Sequence, residues 1–227
     1  MSDPFPSLSP TGTRRQARLA DARLYVVTDA RRERGDLEDF LDAICDASVD
    51  IIQLRDKTAT EDELRAASDV FRRVAERRGA LFVLNDLPGL AVQVGADGVH
   101  LGQEDVHPDH ARSVVGPDLL IGRSTHDVAQ IDATAEEDVD YFAVGPVHAT
   151  PTKARRSAIG LDPVRHADRH ASHPWFAIGG LTDDTVEAVL EAGARRIVVV
   201  RAVCDADDPA AACWRLRRAL ASYHLDI

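Results

Sequence analysis

The feature that most constrains this chain is a regular exchange of short β-branched runs for longer segments of helical spacing, repeated about eight times from Leu24 onward. LYVVT at Leu24–Thr28 reads as a strand, and Leu37, Phe40, Leu41 and Ile44 then follow at helical spacing. VDIIQL at Val49–Leu54 returns to strand, and an amphipathic helix over Glu61–Arg78 stops at Gly79. Further strands are expected at Ala80–Leu84, Gly98–Leu101, Leu119–Gly122, Asp140–Val144, Trp175–Gly179 and Arg196–Val200. The helices between and after them are expected at Pro88–Val94, from Pro108, and at Asp127–Glu137, Asp162–His170, Asp183–Ala192 and Asp208–Tyr223.

Strands that are apolar nearly throughout and alternate with helices belong to a parallel sheet covered on both faces. About eight of them in this length predict an α/β fold, a single-domain (β/α)8 TIM barrel over residues 23–227. A doubly wound open sheet is the structural alternative, but no Gly-x-Gly-x-x-Gly follows the first strand. The 227 residues, 44% of them hydrophobic, are enough to bury a substantial core. Residues 1–22, rich in Pro, Ser and Thr at their start, read as a tail, disordered or partly helical around Arg14–Ala22.

Charge limits the partners. With 38 acidic against 27 basic residues and a formal charge of −11, the chain lacks the broad basic face that nucleic acid or an anionic membrane needs. No apolar run approaches a membrane span, and the first residues lack the apolar segment of a signal peptide. Cys45, Cys204 and Cys213 are too few and scattered for a disulfide framework and fit a reduced, cytoplasmic protein. The oligomeric state stays open, and a homo-oligomer is compatible with these features.

On so acidic a chain, local cations stand out. The stretch from Pro146 to Ser157 has no acidic residue but carries Lys153, Arg155 and Arg156, which suits either an anion site or a solvated connection. In a barrel, ligands bind where strands run into the following helices. The second strand ends in QLRDK, where extended geometry sends Gln53, Arg55 and Lys57 to one side and Leu54 and Asp56 to the other. Such a set can grip phosphate oxygens, or form a salt-bridge cluster with nearby acids.

The third strand ends in Asn85-Asp86, and HLGQED places Asp105 just beyond the glycine turn after the fourth. Two carboxylates with an amide beside one are hard oxygen ligands suited to Mg²⁺, although Asp86 also stands where it could cap the helix after Leu87-Pro88. GRSTH brings Ser124 and His126 to the end of the fifth strand, where a hydroxyl can bind an amine or a phosphate. No Gly-x-Ser-x-Gly elbow marks Ser124 as a nucleophile; His126 reads as a helix-start residue and His100 as a hydrogen-bonded barrel residue. Gly179-Gly180 and Val200-Arg201 end the last two strands, where such barrels place a phosphate, and where turn glycines are needed in any case.

Taken in order, QLRDK (53–57), Asn85-Asp86, GVHLGQED (98–105), GRSTH (122–126), GPVHATPTK (145–153) and AIGG (177–180) closely resemble thiamine phosphate synthases. The resemblance runs from about Leu24 to Leu220, as a match in motif order and spacing. It implies a transferase of thiamine biosynthesis that joins 4-amino-2-methyl-5-(diphosphomethyl)pyrimidine to a thiazole phosphate and releases pyrophosphate. By resemblance, Gln53, Arg55, Lys57, Asn85, Ser124 and Lys153 hold the pyrimidine pyrophosphate, with Arg55, Lys57, Ser124 and Lys153 taking part in catalysis. Asp86 and Asp105 hold Mg²⁺, and Thr150, Thr152, Gly180, Val200 and Arg201 receive the thiazole phosphate.

The family chemistry is dissociative: pyrophosphate leaves, and the thiazole nitrogen captures the pyrimidine methyl cation. This chain departs from the family pattern at His148, Arg155, Arg156 and Arg201, which bears on loop closure and thiazole affinity. A thiazole tautomerase with the same barrel would need no pyrophosphate or metal site, and a silent phosphate-binding barrel would need neither substrate set. The joint presence of the QLRDK, Asn85, Asp86, Asp105 and Lys153 residues separates the chain from both.

Overall fold

A computed structural model describes residues 8–150 and 157–223. Eight parallel strands close into a barrel in chain order: β1 (Leu24–Thr28), β2 (Ile51–Leu54), β3 (Leu81–Asn85), β4 (Gly98–Leu101), β5 (Leu120–Thr125), β6 (Tyr141–Val144), β7 (Trp175–Ile178) and β8 (Ile197–Val199). β8 returns to pair with β1 through Tyr25 opposite Val198, so the sheet has no free edge. The (β/α)8 expectation is met.

The period-2 alternation of each strand sorts its side chains into two layers. Tyr25, Val27, Ile51, Leu81, Val83, Leu120, Tyr141, Phe176 and Val198 fill the barrel interior as one apolar cluster. Val26, Ile52, Leu54, Phe82, Leu84, Val99, Ile121, Phe142 and Val199 face outward and pack beneath the helices in a second, larger cluster. Burial on both faces is why these strands read as continuous apolar runs rather than as polar-apolar alternation.

The helices obey local rules. α3 (Glu61–Arg78) follows α1 (Pro10–Asp21) and α2 (Leu37–Asp46) and opens on a capping box, with Glu63 N–H donating to Thr60 Oγ1 at 3.3 Å and Thr60 N–H to Glu63 Oε2 at 2.7 Å. It stops at Gly79 in the left-handed region, as the sequence predicts. α4 (Pro88–Gln93), α5 (Pro108–Val115) and α7 (Asp162–His170) each carry proline in the first turn. α6 (Val128–Ala133) and α8 (Val186–Glu191) are shorter than expected, because turns replace their predicted ends. β8 runs into α9 (Arg201–Cys204), a single turn that sequence patterning missed, before α10 (Pro209–Ala221) closes the chain.

The segment expected as a tail contains α1, which starts at Pro10, earlier than the predicted Arg14. Ser9 caps it, accepting from the N–H groups of Thr11 and Gly12. α1 lies across the N-terminal end of the barrel: Leu19 is buried in the interior cluster, Arg15 pairs with Asp97 at 2.9 Å, and Gln16 donates to Asp140. The contacts that order it come from residues about eighty or more positions away in the chain, which local patterning cannot see.

Candidate active site

The C-terminal ends of the strands gather two different regions. The first is polar and lies over β2 to β4. Gln53 sits inside the barrel at 3% exposure, while Arg55 and Lys57 follow in the loop above it. β2 ends at Leu54, short of the extended run expected through Lys57, and Asp56 turns into the loop that follows. It accepts from the N–H groups of Thr58 and Ala59 at 3.0 and 3.1 Å and pairs with Arg32 at 3.3 Å. That carboxylate is thus consumed by the turn before α3. Lys57 Nζ lies 3.7 Å from Asp86 Oδ2, and Arg55 makes no ion pair among the described residues.

Asn85 is the last residue of β3 and lies beside His100 of β4. Asp86 follows with φ +68°, a left-handed conformation that is uncommon for a residue with a side chain, and its N–H donates to His100 O at 2.9 Å. It does not cap α4, which has Leu87 at its cap and no side-chain cap hydrogen bond. Instead its carboxyl meets that of Asp105. Burial first, and then the hydrogen bond and charge of Asp105, push the Asp86 carboxyl up to about 6, while Lys57 and Arg55 pull it down.

Asp105 is held by the loop that carries it. Gly102 N–H donates to Asp105 Oδ2 at 2.7 Å, closing the turn after β4. Arg123 and Gln103 tie this turn to β5: Arg123 Nη1 donates to Gly102 O at 2.7 Å, and Gln103 Nε2 to Ser124 O at 2.7 Å. Arg123 is 5% exposed, with its Nε 3.6 Å from Glu137 Oε2. Sequence reading missed Arg123, although an arginine inside an otherwise apolar strand is a signal that could have found it.

The second region is a cavity over β5 to β8, of about 690 Å³ including the space open to solvent at its mouth. Ser124, Thr150, Gly180, Val200 and Arg201 all line it, together with His126 and Thr182. Ser124 belongs to β5 itself, which extends to Thr125 beyond the expected end at Gly122, so the hydroxyl is a rigid barrel group and not a loop group. His126 Nδ1 bonds the Gly145 carbonyl, and its N–H donates to Gln130 Oε1 at 2.9 Å. Its ring therefore helps form the cavity wall, beyond the helix-start role read from sequence.

Gly180 has φ +65°, and a Cβ there would lie 2.7 Å from His148 Cβ, so both backbone angle and space require glycine. The loop after β6 runs against this turn, with Val147 N–H donating to Ile178 O at 2.8 Å and His148 N–H to Gly179 O at 3.0 Å. Thr152, Lys153, Arg155 and Arg156 lie outside the described residues. Burial pushes the Cys45 and Cys213 thiols up to about 12 and that of Cys204 to about 11, so these cysteines are poor nucleophiles.

The chain is similar to known proteins over most of its length. Residues 24–203 match the family model described as thiamine monophosphate synthase. A thiamine-phosphate synthase of Saccharopolyspora erythraea is 51% identical over 224 residues, covering 95% of this chain and 100% of that one. A thiamine-phosphate synthase of Thermobifida fusca is 53% identical over 206 residues, covering 89% of this chain and 94% of the relative. Among solved structures, a thiamine phosphate pyrophosphorylase from Pyrococcus furiosus superposes with a TM-score of 0.79 at 31% identity, covering 92% of this chain and 98% of that one.

Proposed function

The chain belongs to the thiamine monophosphate synthase family, and from that premise we propose that it joins 4-amino-2-methyl-5-(diphosphomethyl)pyrimidine to a thiazole phosphate, releasing pyrophosphate. The observation that carries the reading is the placement of two anion-suited regions on one end of one barrel. Lys57 and Arg55 stand beside the Asp86–Asp105 pair, and the cavity with Thr150, Gly180 and Arg201 lies across the mouth. A substrate with a diphosphate and a second with a monophosphate need such a pair of sites.

In this reading the C–O bond between the pyrimidine methylene and the diphosphate breaks first, and the thiazole nitrogen then attacks the methylene carbon. Arg55 and Lys57 hold the diphosphate and oppose the negative charge that grows as it leaves. Ser124 donates from the floor of the site, and Asn85 supplies an amide beside the diphosphate. Lys153 and Thr152 act from the loop after β6, on the strength of the family resemblance. The thiazole phosphate enters the cavity, where Thr150, the backbone at Gly180 and Val200, and the guanidinium of Arg201 receive it. Catalysis is positional and electrostatic, and no covalent nucleophile is needed.

Asp86 and Asp105 fit a divalent cation. Two carboxylates facing each other, one with its pKa raised by burial and then by the other, form a repulsive pair that a cation would relieve. Among the described residues no third His, Cys, Asp or Glu joins them, which suits Mg²⁺, an ion that keeps waters and substrate phosphate oxygens in its shell. Bound there, Mg²⁺ would neutralise charge on the departing pyrophosphate. Among the described residues no helix is long and apolar enough to cross a membrane, and soluble phosphorylated substrates fit a cytoplasmic enzyme.

The test is incubation of the protein with both substrates, with Mg²⁺ or with chelator, and measurement of thiamine phosphate. Product with Mg²⁺ but not with chelator is expected. No product under either condition sinks the reading.

A further inference from the structure

Beneath the mouth, a continuous line of polar side chains crosses the barrel interior. Gln53 Nε2 donates to Tyr25 Oη at 2.9 Å, and Tyr25 Oη lies 3.1 Å from Tyr141 Oη. Tyr141 Oη lies 3.3 Å from His100 Nδ1, and His100 Nε2 lies 3.0 Å from Ser124 Oγ. The five residues come from β2, β1, β6, β4 and β5, and all are buried. The site is built for this contact: a Cβ on Gly122 would lie 2.2 Å from Tyr141 Cζ and 2.6 Å from His100 Nδ1, so a glycine leaves the room they need. Phe176 packs edge-on against both tyrosine rings, with centroids 5.6 and 5.7 Å away.

Hydrogen-bond chemistry gives this line a single direction. An amide Nε2 can only donate, so Tyr25 Oη accepts, and its own proton passes to its other neighbour among the described residues, Tyr141 Oη. Tyr141 then donates to His100 Nδ1, which must be the unprotonated ring nitrogen. The neutral ring carries its proton on Nε2 and gives it to Ser124 Oγ. Ser124 therefore keeps its own hydroxyl proton for the cavity that it lines. At the other end, Gln53 Oε1 is not among the buried unpaired atoms and remains available as an acceptor. Burial raises both phenols above their ordinary range, so both stay protonated, as the ordering requires.

We infer that Tyr25, Tyr141 and His100 are positioning residues that fix the hydrogen-bond polarity of the pyrimidine site, presenting an acceptor at Gln53 and a donor at Ser124. The functional half of this inference rests on the proposed reading of Gln53 and Ser124 as pyrimidine-site residues; the proton ordering does not. The consequence is selection by polarity. A ligand with an N–H donor on the Gln53 side and an acceptor on the Ser124 side fits, and one with the two reversed leaves buried groups unpaired.

The ordering is tested on the full chain labelled with ¹⁵N-histidine, with the His100 signals identified by their loss in His100→Gln. A neutral ring with a protonated Nε2 and a pyridine-type Nδ1 is expected near neutral pH. A ring protonated at Nδ1, or at both nitrogens, overturns the ordering. The role is tested in Tyr141→Phe, which removes the middle link. Loss of the single His100 tautomer is expected, with a rise of about tenfold in KM for the pyrimidine substrate. KM for the thiazole phosphate, whose cavity Ser124 also lines, should rise less than that for the pyrimidine substrate, and the circular dichroism spectrum should stay unchanged. An unaltered pyrimidine KM overturns the role, and Tyr25→Phe, which interrupts the line one link earlier, repeats the test if Tyr141→Phe does not fold. Wild-type protein that makes no thiamine phosphate overturns the functional reading, and with it the relay's role, while the nitrogen signals still decide the ordering.

Discussion

The two ends of the barrel use aspartate in opposite ways. At the N-terminal end, Asp50, Asp97 and Asp140 each accept from backbone N–H groups of a neighbouring strand: Asp50 from Leu24 at 2.9 Å, Asp97 from Phe82 at 3.0 Å and Asp140 from Ile121 at 2.7 Å. Each also meets an arginine, Arg217 at 2.7 Å, Arg15 at 2.9 Å and Arg112 at 2.7 Å respectively. At the C-terminal end, Asp86 and Asp105 face one another, with only Lys57 close enough to pair with Asp86 among the described residues. The first group ties strands to helices with every charge answered. The second sets two carboxylates against each other in a partly buried place, an arrangement that favours protonation of Asp86.

The sharpest way to break this contrast is to remove one carboxylate from each end. Asp86→Ala and Asp105→Ala are expected to lower kcat by about a hundredfold or more at saturating Mg²⁺ while leaving Tm unchanged or raised. Steady-state kinetics alongside thermal unfolding checks this, and a variant with wild-type turnover contradicts the metal role. Asp140→Ala should do the reverse, since it leaves the Ile121 N–H without its acceptor and removes the carboxylate that Arg112 Nη2 pairs with. A loss of about 2–3 kcal/mol, or roughly 5–10 °C in Tm, is expected, with kcat of the folded fraction preserved.

Smaller changes sharpen the comparison. Lys57→Met removes a cation from the diphosphate side, and KM for the pyrimidine substrate should rise about tenfold with thiazole KM unchanged. Arg123→Met frees the turn that carries Asp105, and Mg²⁺ affinity, read by titration calorimetry, should weaken by about threefold to tenfold.

The smallest effect concerns pH. Burial and Asp105 raise the Asp86 pKa to about 6 from the ordinary 3.8 of an aspartate, so the folded state binds more protons between those values. Its contribution to stability is therefore greatest below the lower value and is lost as pH rises through the upper one. Without divalent cation, Asp86→Asn should be more stable than the parent above about pH 6, with the difference vanishing near pH 4. A difference that grows on acidification would show that the carboxylate pair is not the source.

Much of this was legible along the chain. QLRDK marked Arg55 and Lys57 as cations at a strand end, but β2 stops at Leu54, so it is the turn that binds Asp56 to Thr58 and Ala59, and not strand parity, that parts Asp56 from them. Ser124, Gly180, Val200 and Arg201 were marked by their place at strand ends and Thr150 by the family resemblance, and all line the cavity. Other features were not readable. Asp86 also stood where it could cap α4, and only the structure shows that it does not: Leu87 takes the cap position, and the Asp86 carboxyl approaches Asp105. Nothing near Arg123 in sequence shows that its guanidinium reaches Gly102, because that contact depends on the register of β4 against β5.

By itself, the sequence determined the alternation of elements, the closed parallel barrel and the chemical character of each strand end, since periodicity and turn residues act over a few positions. The tertiary structure decided which charges meet. Tyr25 and Tyr141 touch across 116 positions of chain, Arg15 reaches Asp97 across 82, and Asp86 finds Asp105 instead of a helix terminus. Those meetings follow from barrel closure and strand register, which bring distant residues within reach only once every strand is in place.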